Sequence, residues 1–150
     1  MRCSVRFGFA LLILILVSGL VCHGQTSIED NAVREVVNHY FHGLKFNDIE
    51  SLKKAFYADA KLFFMKRDGS LGQLSQEQWY KGFEANAGKE EKGDLKIASV
   101  DITGNAAAVK VVETYDTSKY TDYLSLLKFA DGWKIVNKIY VAEALKRPGE

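Results

Sequence analysis

Two side chains in this sequence, Glu113 and His39, are candidates for moving protons in an enzyme site. Glu113 continues an alternating run through Val109 and Val111, so we expect it to face the same side of a strand as those apolar residues. Burial raises the pKa of a carboxyl group, as a general base at neutral pH requires. The alternatives are a Glu113 at the exposed rim of a sheet and a His39 half-exposed on its helix. Glu113 and His39 are the catalytic candidates.

Metal chemistry is not expected. His39 and His42 stand three residues apart on a predicted helix, a spacing that can hold a metal ion, but no carboxylate or cysteine is placed to complete the ligand set. The sequence also lacks a glycine-rich phosphate loop, a nucleophile elbow and a zinc-protease motif. We therefore predict no metal and no cofactor.

The N-terminus has the layout of a secretory signal peptide. Arg2 and Arg6 precede an apolar run over residues 7–21, and the polar chain begins at Gln25. We predict cleavage after Gly24, giving a 1–24 leader and a single domain over 25–150, secreted or periplasmic. The run is short for a membrane span, so no stable membrane insertion is expected after cleavage. A lipoprotein acylated at Cys22 is the alternative.

Cleavage would also change the composition. Both cysteines, Cys3 and Cys22, lie in the leader, so the remaining chain has no thiol for a disulfide or a nucleophile. Loss of Arg2 and Arg6 takes the formal charge from +1 to about −1. A near-neutral balance with both signs interspersed gives no electrostatic reason to expect nucleic acid as a partner.

The elements that must position Glu113 fall into a helical half and a strand half. Apolar residues recur at helical spacing from Ile28 to Leu44, a second helix is predicted at 49–56 after Asp48, and a third at 76–85. Strands are predicted at 61–66, 70–73, 95–103, 106–115, 120–129 and 133–141. Segregated helices and mostly antiparallel strands define an α+β fold.

This order of elements resembles the NTF2-like superfamily. Within it, the stretches at 57–62, 123–128 and 132–138 are similar to the SnoaL-like branch called putative lumazine-binding proteins. The resemblance implies a cone in which three helices pack on a strongly curved, mostly antiparallel sheet. It also implies a base inside the cone for the catalytic members, usually Asp or His. No inward Asp is predicted here, which speaks against isomerase or dehydratase activity.

Charged residues indicate which side of each late strand faces inward. We expect Lys134, Lys138, Lys128 and Asp122 to point outward, because an unpaired charge is costly to bury. The odd-numbered residues of these strands should then face the cavity. A three-residue loop at 130–132 would pair Phe129 with Trp133 and place Ser125 opposite Asn137. The predicted ligand pocket comprises Tyr40, Phe63, Trp79, Phe83, Glu113, Tyr123, Ser125 and Asn137.

Three functions fit these features. The first is an exported protein that binds a small, flat molecule in a mostly apolar and aromatic cone pocket. The second is a cofactor-free isomerase or dehydratase that uses Glu113 or His39. The third is an assembly module with a filled cone, whose outer sheet face forms a homodimer. The residues expected on that face are Leu124, Leu126, Val136 and Tyr140.

Overall fold

The computed structural model of the chain describes residues 21–146. Within them the chain forms three helices and six strands. The predicted signal peptide lies outside the described residues apart from its last four, which open the first helix. None of the helices in residues 21–146 has both the length and the apolar character that crossing a membrane requires.

The helices are α1 (Val21–Phe46), α2 (Ile49–Ala55) and α3 (Gln76–Glu84). The side chain of Asp48 caps α2 by accepting hydrogen bonds from the backbone N–H groups of Glu50 and Ser51. Ser75 and Gln78 form a reciprocal capping box at the start of α3. Both helix starts were predicted, because a capping side chain is a local signal.

The strands are β1 (Phe56–Met65), β2 (Leu71–Ser75), β3 (Asp94–Thr103), β4 (Ala106–Thr114), β5 (Ser118–Phe129) and β6 (Gly132–Ala144). They form one sheet in the order β2-β1-β6-β5-β4-β3. β1 runs parallel to β6, and every other pair is antiparallel. The sheet is therefore mixed and open, and the α+β prediction is confirmed.

The core lies between α1 and one face of the sheet. Val33, Val37 and Tyr40 of α1 are fully buried, in the stripe that the helical spacing predicted. They pack with inward residues of four strands and with α2. The buried apolar residues of the sheet are Phe56, Ala60, Leu62, Ala107, Val109, Val111, Leu124, Leu126, Trp133 and Ile135.

The loop between β5 and β6 differs from the prediction by one residue. Phe129 pairs with Gly132 and Lys128 with Trp133, so the loop has two residues instead of three. Gly132 has a positive φ of 117°, which glycine adopts readily. Ser125 still pairs with Asn137 as predicted. A β-bulge adds one residue, Val136, to β6 at this point, and it compensates for the residue missing from the loop.

The shorter loop reverses the predicted faces of β5, and the bulge reverses those of the later part of β6. On β5 the inward side chains are Asp122, Leu124 and Leu126, whereas Tyr123 is 50% exposed. On β6, Trp133 and Ile135 face inward as predicted, but after the bulge Lys138 is the buried residue. The predictions of an outward Asp122 and an inward Tyr123 are wrong, because the shorter loop pairs even-numbered residues of β5 with the inward Trp133 and Ile135. The prediction of an outward Lys138 is wrong, because the extra residue at the bulge interrupts the alternation of β6.

Lys128 misled the prediction for a different reason. It lies at the end of β5, where its ammonium group reaches Glu29 of α1 at 2.6 Å. The side chain therefore belongs to the helix-facing side of the strand while its charge stays at the surface. An exposed lysine near a strand end does not show which face of the strand is outward.

Candidate functional site

A cavity of about 290 Å³ lies between α1, α3 and the sheet, at the end where β4 joins β5. Its apolar walls come from Leu44, Leu62, Trp79 and Phe83, and Tyr115, Tyr120 and Tyr140 add phenol rings. Glu91 and Ser118 also border it. Two charged residues of the sheet, Glu113 and Lys138, complete the lining.

Behind the cavity, four buried polar side chains meet at the hydroxyl group of Tyr40. The Tyr40 oxygen lies 2.7 Å from Oε1 of Glu113 and 2.6 Å from Oδ2 of Asp122. The ammonium group of Lys138 also donates to the Tyr40 oxygen and lies 2.7 Å from Oδ2 of Asp122. We call Tyr40, Glu113, Asp122 and Lys138 the buried quartet. Its members come from α1, β4, β5 and β6, so it exists only when the helix is seated on the sheet.

The geometry of the buried quartet determines where one proton lies. A phenol donates one hydrogen bond, yet the Tyr40 oxygen is in contact with two carboxyl oxygens as well as with the donor Lys138. One of the two carboxyl groups must therefore carry a proton and donate to Tyr40. Asp122 accepts the ion pair from Lys138, so the protonated group is Glu113. The quartet then has one negative and one positive charge.

The electrostatics agree with this assignment. Burial raises the pKa of Glu113 to about 8; the Lys138 ammonium opposes that increase and the Asp122 carboxylate adds to it. Burial also raises the pKa of Tyr40 well above its usual value. At neutral pH Glu113 is thus a carboxylic acid, suited to donate a proton. The general-base role expected from the sequence would require higher pH.

Lys138 lies where the quartet meets the cavity. Its Nζ is 5.0 Å from the ring centre of Tyr140 and 5.5 Å from that of Trp79, and both rings line the cavity. An ammonium group has three N–H bonds, of which Asp122 and Tyr40 take two. The third has no acceptor among the residues that the structure describes. The aromatic rings stabilise this cation in addition to its ion pair.

Several predicted pocket residues lie where the sequence placed them. Trp79, Phe83 and Glu113 line the cavity. Tyr40 is fully buried behind it, with its ring edge against Phe56 and its hydroxyl group in the quartet. The site therefore contains the predicted acid and the predicted aromatic wall of α3.

Four predicted pocket residues lie elsewhere. On β1, Leu62 faces the cavity and its neighbour Phe63 lies on the other side of the strand. Tyr123 and Ser125 are exposed on the outer face of β5, and Asn137, partly buried, pairs with Ser125 there. The predicted polar patch of Ser125, Asn137 and Glu113 does not form, because Glu113 faces the opposite side of the sheet.

His39, the second catalytic candidate, is remote from the cavity. It borders a separate surface groove of about 460 Å³ with Glu35 and Lys54. His42 contacts the α2 cap instead, with its Nδ1 3.1 Å from Oγ of Ser51. Within the described part of the chain no group of three His, Cys, Asp or Glu side chains is close enough to hold a metal ion.

Sequence reasoning missed Asp122 and Lys138, the two residues that give the site its charge. The available signal was their position, since each interrupts an apolar stretch of a strand predicted to be largely buried. Opposite charges on adjacent strands can be buried together as an ion pair. A prediction based on the cost of burying a single charge does not allow for such a pair.

Comparisons with known proteins agree with the fold. A sequence profile of the family described as "Putative lumazine-binding" matches residues 28–141. An NTF2-like protein of unknown function from Shewanella baltica OS155 is 26% identical, with a TM-score of 0.71 over 78% of this chain and 95% of that one. No curated protein matches.

Two further solved structures are similar. One, from Silicibacter pomeroyi DSS-3, is an NTF2-like protein of unknown function with 24% identity, a TM-score of 0.70 and coverage of 79% of this chain and 98% of that one. The other is a ketosteroid isomerase-like protein from Erwinia carotovora atroseptica SCRI1043. It has 15% identity and a TM-score of 0.56, over 77% of this chain and 95% of that one, and it shows the fold alone.

Proposed function

Because the chain belongs to the "Putative lumazine-binding" family of NTF2-like proteins, we propose that it binds a compact, flat small molecule in the cavity beside the buried quartet. The observation that carries this proposal is the pairing of two polar groups with aromatic walls. Glu113 and Lys138 border a space otherwise lined mostly by aromatic and aliphatic side chains. Ligand sites typically combine apolar walls with a few placed polar groups.

The size of the cavity limits the ligand. At about 290 Å³ it lies just below the range of roughly 300 to 1,000 Å³ that is usual for ligand pockets. One ring or two fused rings would fill it. The rings of Trp79 and Phe83, whose planes are 88° apart, offer one face and one edge to such a molecule.

Native mass spectrometry of the protein purified from its own host tests this function. We expect a bound small molecule that is released on denaturation. Ser118→Phe would place a large ring at the cavity and abolish that binding, whereas Ser99→Phe, on the exposed side of β3, is the matched control and should retain it. Equal occupancy in both variants would place the ligand elsewhere, and an empty wild-type protein would contradict the proposal.

A second candidate function is a cofactor-free isomerase or dehydratase, favoured by the protonated state of Glu113. A carboxylic acid with a pKa of about 8 beside a cavity can supply a proton at neutral pH. Incubation of a host small-molecule extract with the protein, followed by mass spectrometry, would reveal compounds that change. Glu113→Gln cannot transfer a proton and should leave them unchanged. An extract unaltered by wild-type protein would exclude this candidate for the compounds present.

We also propose a homodimer through the outer sheet face, with different residues from those expected. Leu124 and Leu126 are buried in the core and Tyr140 borders the cavity, so they are not available there. The exposed apolar residues of that face are Tyr123, Leu127, Ile139 and Val141. Tyr123 pairs directly with Ile139, which makes the patch continuous across β5 and β6 and suitable for a two-fold interface.

We also propose that the protein is exported. The apolar run after Arg2 and Arg6 supports cleavage after Gly24 and a secreted or periplasmic location. N-terminal sequencing of the mature protein from the host is expected to begin at Gln25. Labelling with radioactive palmitate distinguishes the lipoprotein alternative, which predicts a mature chain that begins at Cys22 and carries the label.

A further inference from the structure

Two members of the buried quartet line the cavity, Glu113 and Lys138, and together they have one acceptor and one donor left over there. With the proton of Glu113 on Oε1, where it is donated to Tyr40, Oε2 is a carbonyl-type acceptor. Its one contact among the described residues is a long one, 3.4 Å from the hydroxyl group of Tyr115, which lines the cavity. The donor is the third N–H of Lys138.

These two groups are close neighbours. Oε1 of Glu113 and Nζ of Lys138 both contact the same oxygen of Tyr40, which holds the acid and the ammonium side by side. The negative charge of Asp122 already balances Lys138, so the buried quartet as a whole is neutral. A neutral ligand that offers a donor and an acceptor at adjacent atoms matches this pattern, whereas a carboxylate would turn an oxygen toward Oε2 of Glu113.

We propose that the cavity recognises the lactam edge of a flat heterocycle, whose ring N–H donates to Oε2 of Glu113 and whose adjacent carbonyl accepts from Nζ of Lys138. The rings of Trp79 and Tyr140, which flank Nζ, hold the plane of the heterocycle. This inference rests on the proposed function, since it names the chemical class of the ligand in the same cavity.

Three bicyclic probes of nearly equal size test it, with binding followed by isothermal titration calorimetry. Quinazolinone has the lactam edge, N-methylquinazolinone lacks its N–H, and quinazoline lacks both the N–H and the carbonyl. We expect quinazolinone to bind about tenfold more tightly than either, since each lost hydrogen bond leaves a polar group of the site without a partner.

The possible results separate this inference from the proposed function. Equal affinities for all three probes, lost in Ser118→Phe, would overturn the lactam inference and leave small-molecule binding intact. Equal binding of quinazolinone and its N-methyl derivative would also overturn it, since the Glu113 contact would then be absent. No binding of any probe would overturn the lactam inference; an empty protein in native mass spectrometry would be needed to overturn the proposed function.

A pair of variants at Glu113 gives an independent test. Glu113→Leu removes the acceptor and should abolish the preference for quinazolinone over its N-methyl derivative. Glu113→Gln has an amide that can donate to Tyr40 and retain an oxygen on the cavity side, so it should restore that preference relative to the leucine variant. Preference retained in Glu113→Leu would contradict the proposal, and thermal denaturation establishes that each variant folds.

Discussion

The ammonium group of Lys138 lies 2.7 Å from a carboxylate oxygen of Asp122, with the two residues 4% and 0% exposed. Removing one member of such a pair leaves the other charge buried without its partner. We expect Lys138→Met to lower the free energy of unfolding by about 3 to 5 kcal/mol, measured by urea denaturation. Lys96→Met, at an exposed position of β3, is the matched control and should change it by less than about 0.5 kcal/mol.

The double variant Asp122→Leu with Lys138→Met distinguishes pairing from simple packing. Because the burial cost of both charges disappears together, the double variant should be more stable than Lys138→Met alone. Additive losses from the two substitutions would show that the ion pair is not what holds these residues together.

Tyr40→Phe removes the oxygen shared by the buried quartet and keeps the ring. Glu113, Asp122 and Lys138 each lose a hydrogen-bond partner, so we expect a loss of stability of about 1 to 3 kcal/mol in urea denaturation. Tyr57→Phe tests the effect of removing a hydroxyl from a tyrosine that is 42% exposed, and it should be nearly neutral. An unchanged free energy of unfolding in Tyr40→Phe would show that the hydroxyl group contributes no net stability.

Glu113 should make the protein less stable as the pH rises through the neutral range. Its folded pKa of about 8 lies above its usual value of 4.5, so between these pH values the unfolded state releases a proton that the native state keeps. The contribution is fully present below about pH 4.5 and is lost as the pH approaches 8.

The measurement compares wild type with Glu113→Gln by thermal denaturation across that range. The groups that face Glu113 are Tyr40 of α1, Asp122 of β5, Lys138 of β6 and, at the end of β4, Tyr115. All four are present in both proteins. Stability curves that run parallel from pH 5 to 8 would show that Glu113 titrates normally in the folded state.

The proposed dimer predicts that a charge on the outer face produces monomers. Ile139→Lys would place an ammonium group beside Tyr123 in the centre of the patch, and sedimentation equilibrium should show a shift from dimer to monomer. Leu71→Lys, at an exposed apolar residue of the edge strand β2, should remain dimeric. A wild-type protein that is monomeric at high concentration would exclude the interface.

Features encoded by neighbouring residues could be predicted from the sequence. Asp48 and Ser75 cap their helices through hydrogen bonds to residues two or three positions away. Gly132 adopts a positive φ because it is a glycine, without help from distant residues. The burial of Val109, Val111 and Glu113 also followed from alternation, because the pairing of β4 with β5 is regular. In these cases the interactions between residues close in sequence were sufficient to predict the structure.

The faces of β5 and β6 could not be predicted, because they depend on long-range pairing. The loop has one residue fewer than predicted, and the bulge adds one residue to β6. The two register shifts cancel at Ser125 and Asn137, so this pair is predicted correctly although the inward side of β5 is not. Asp122 and Lys138 appear unsuited to the interior when each is considered alone. Only the assembled sheet brings them together under Tyr40.

The bulge near Val136 makes this part of the sheet tolerant of the loss of one residue. Deleting that single residue would remove the bulge and join Ile135 directly to Asn137, so the pairs of Asn137 with Ser125 and of Lys138 with Leu124 would be kept. Lys138 would stay in the interior beside Asp122, because alternation from the inward Ile135 would turn it to the same side. The gene could therefore lose this codon without changing which charges lie in the interior.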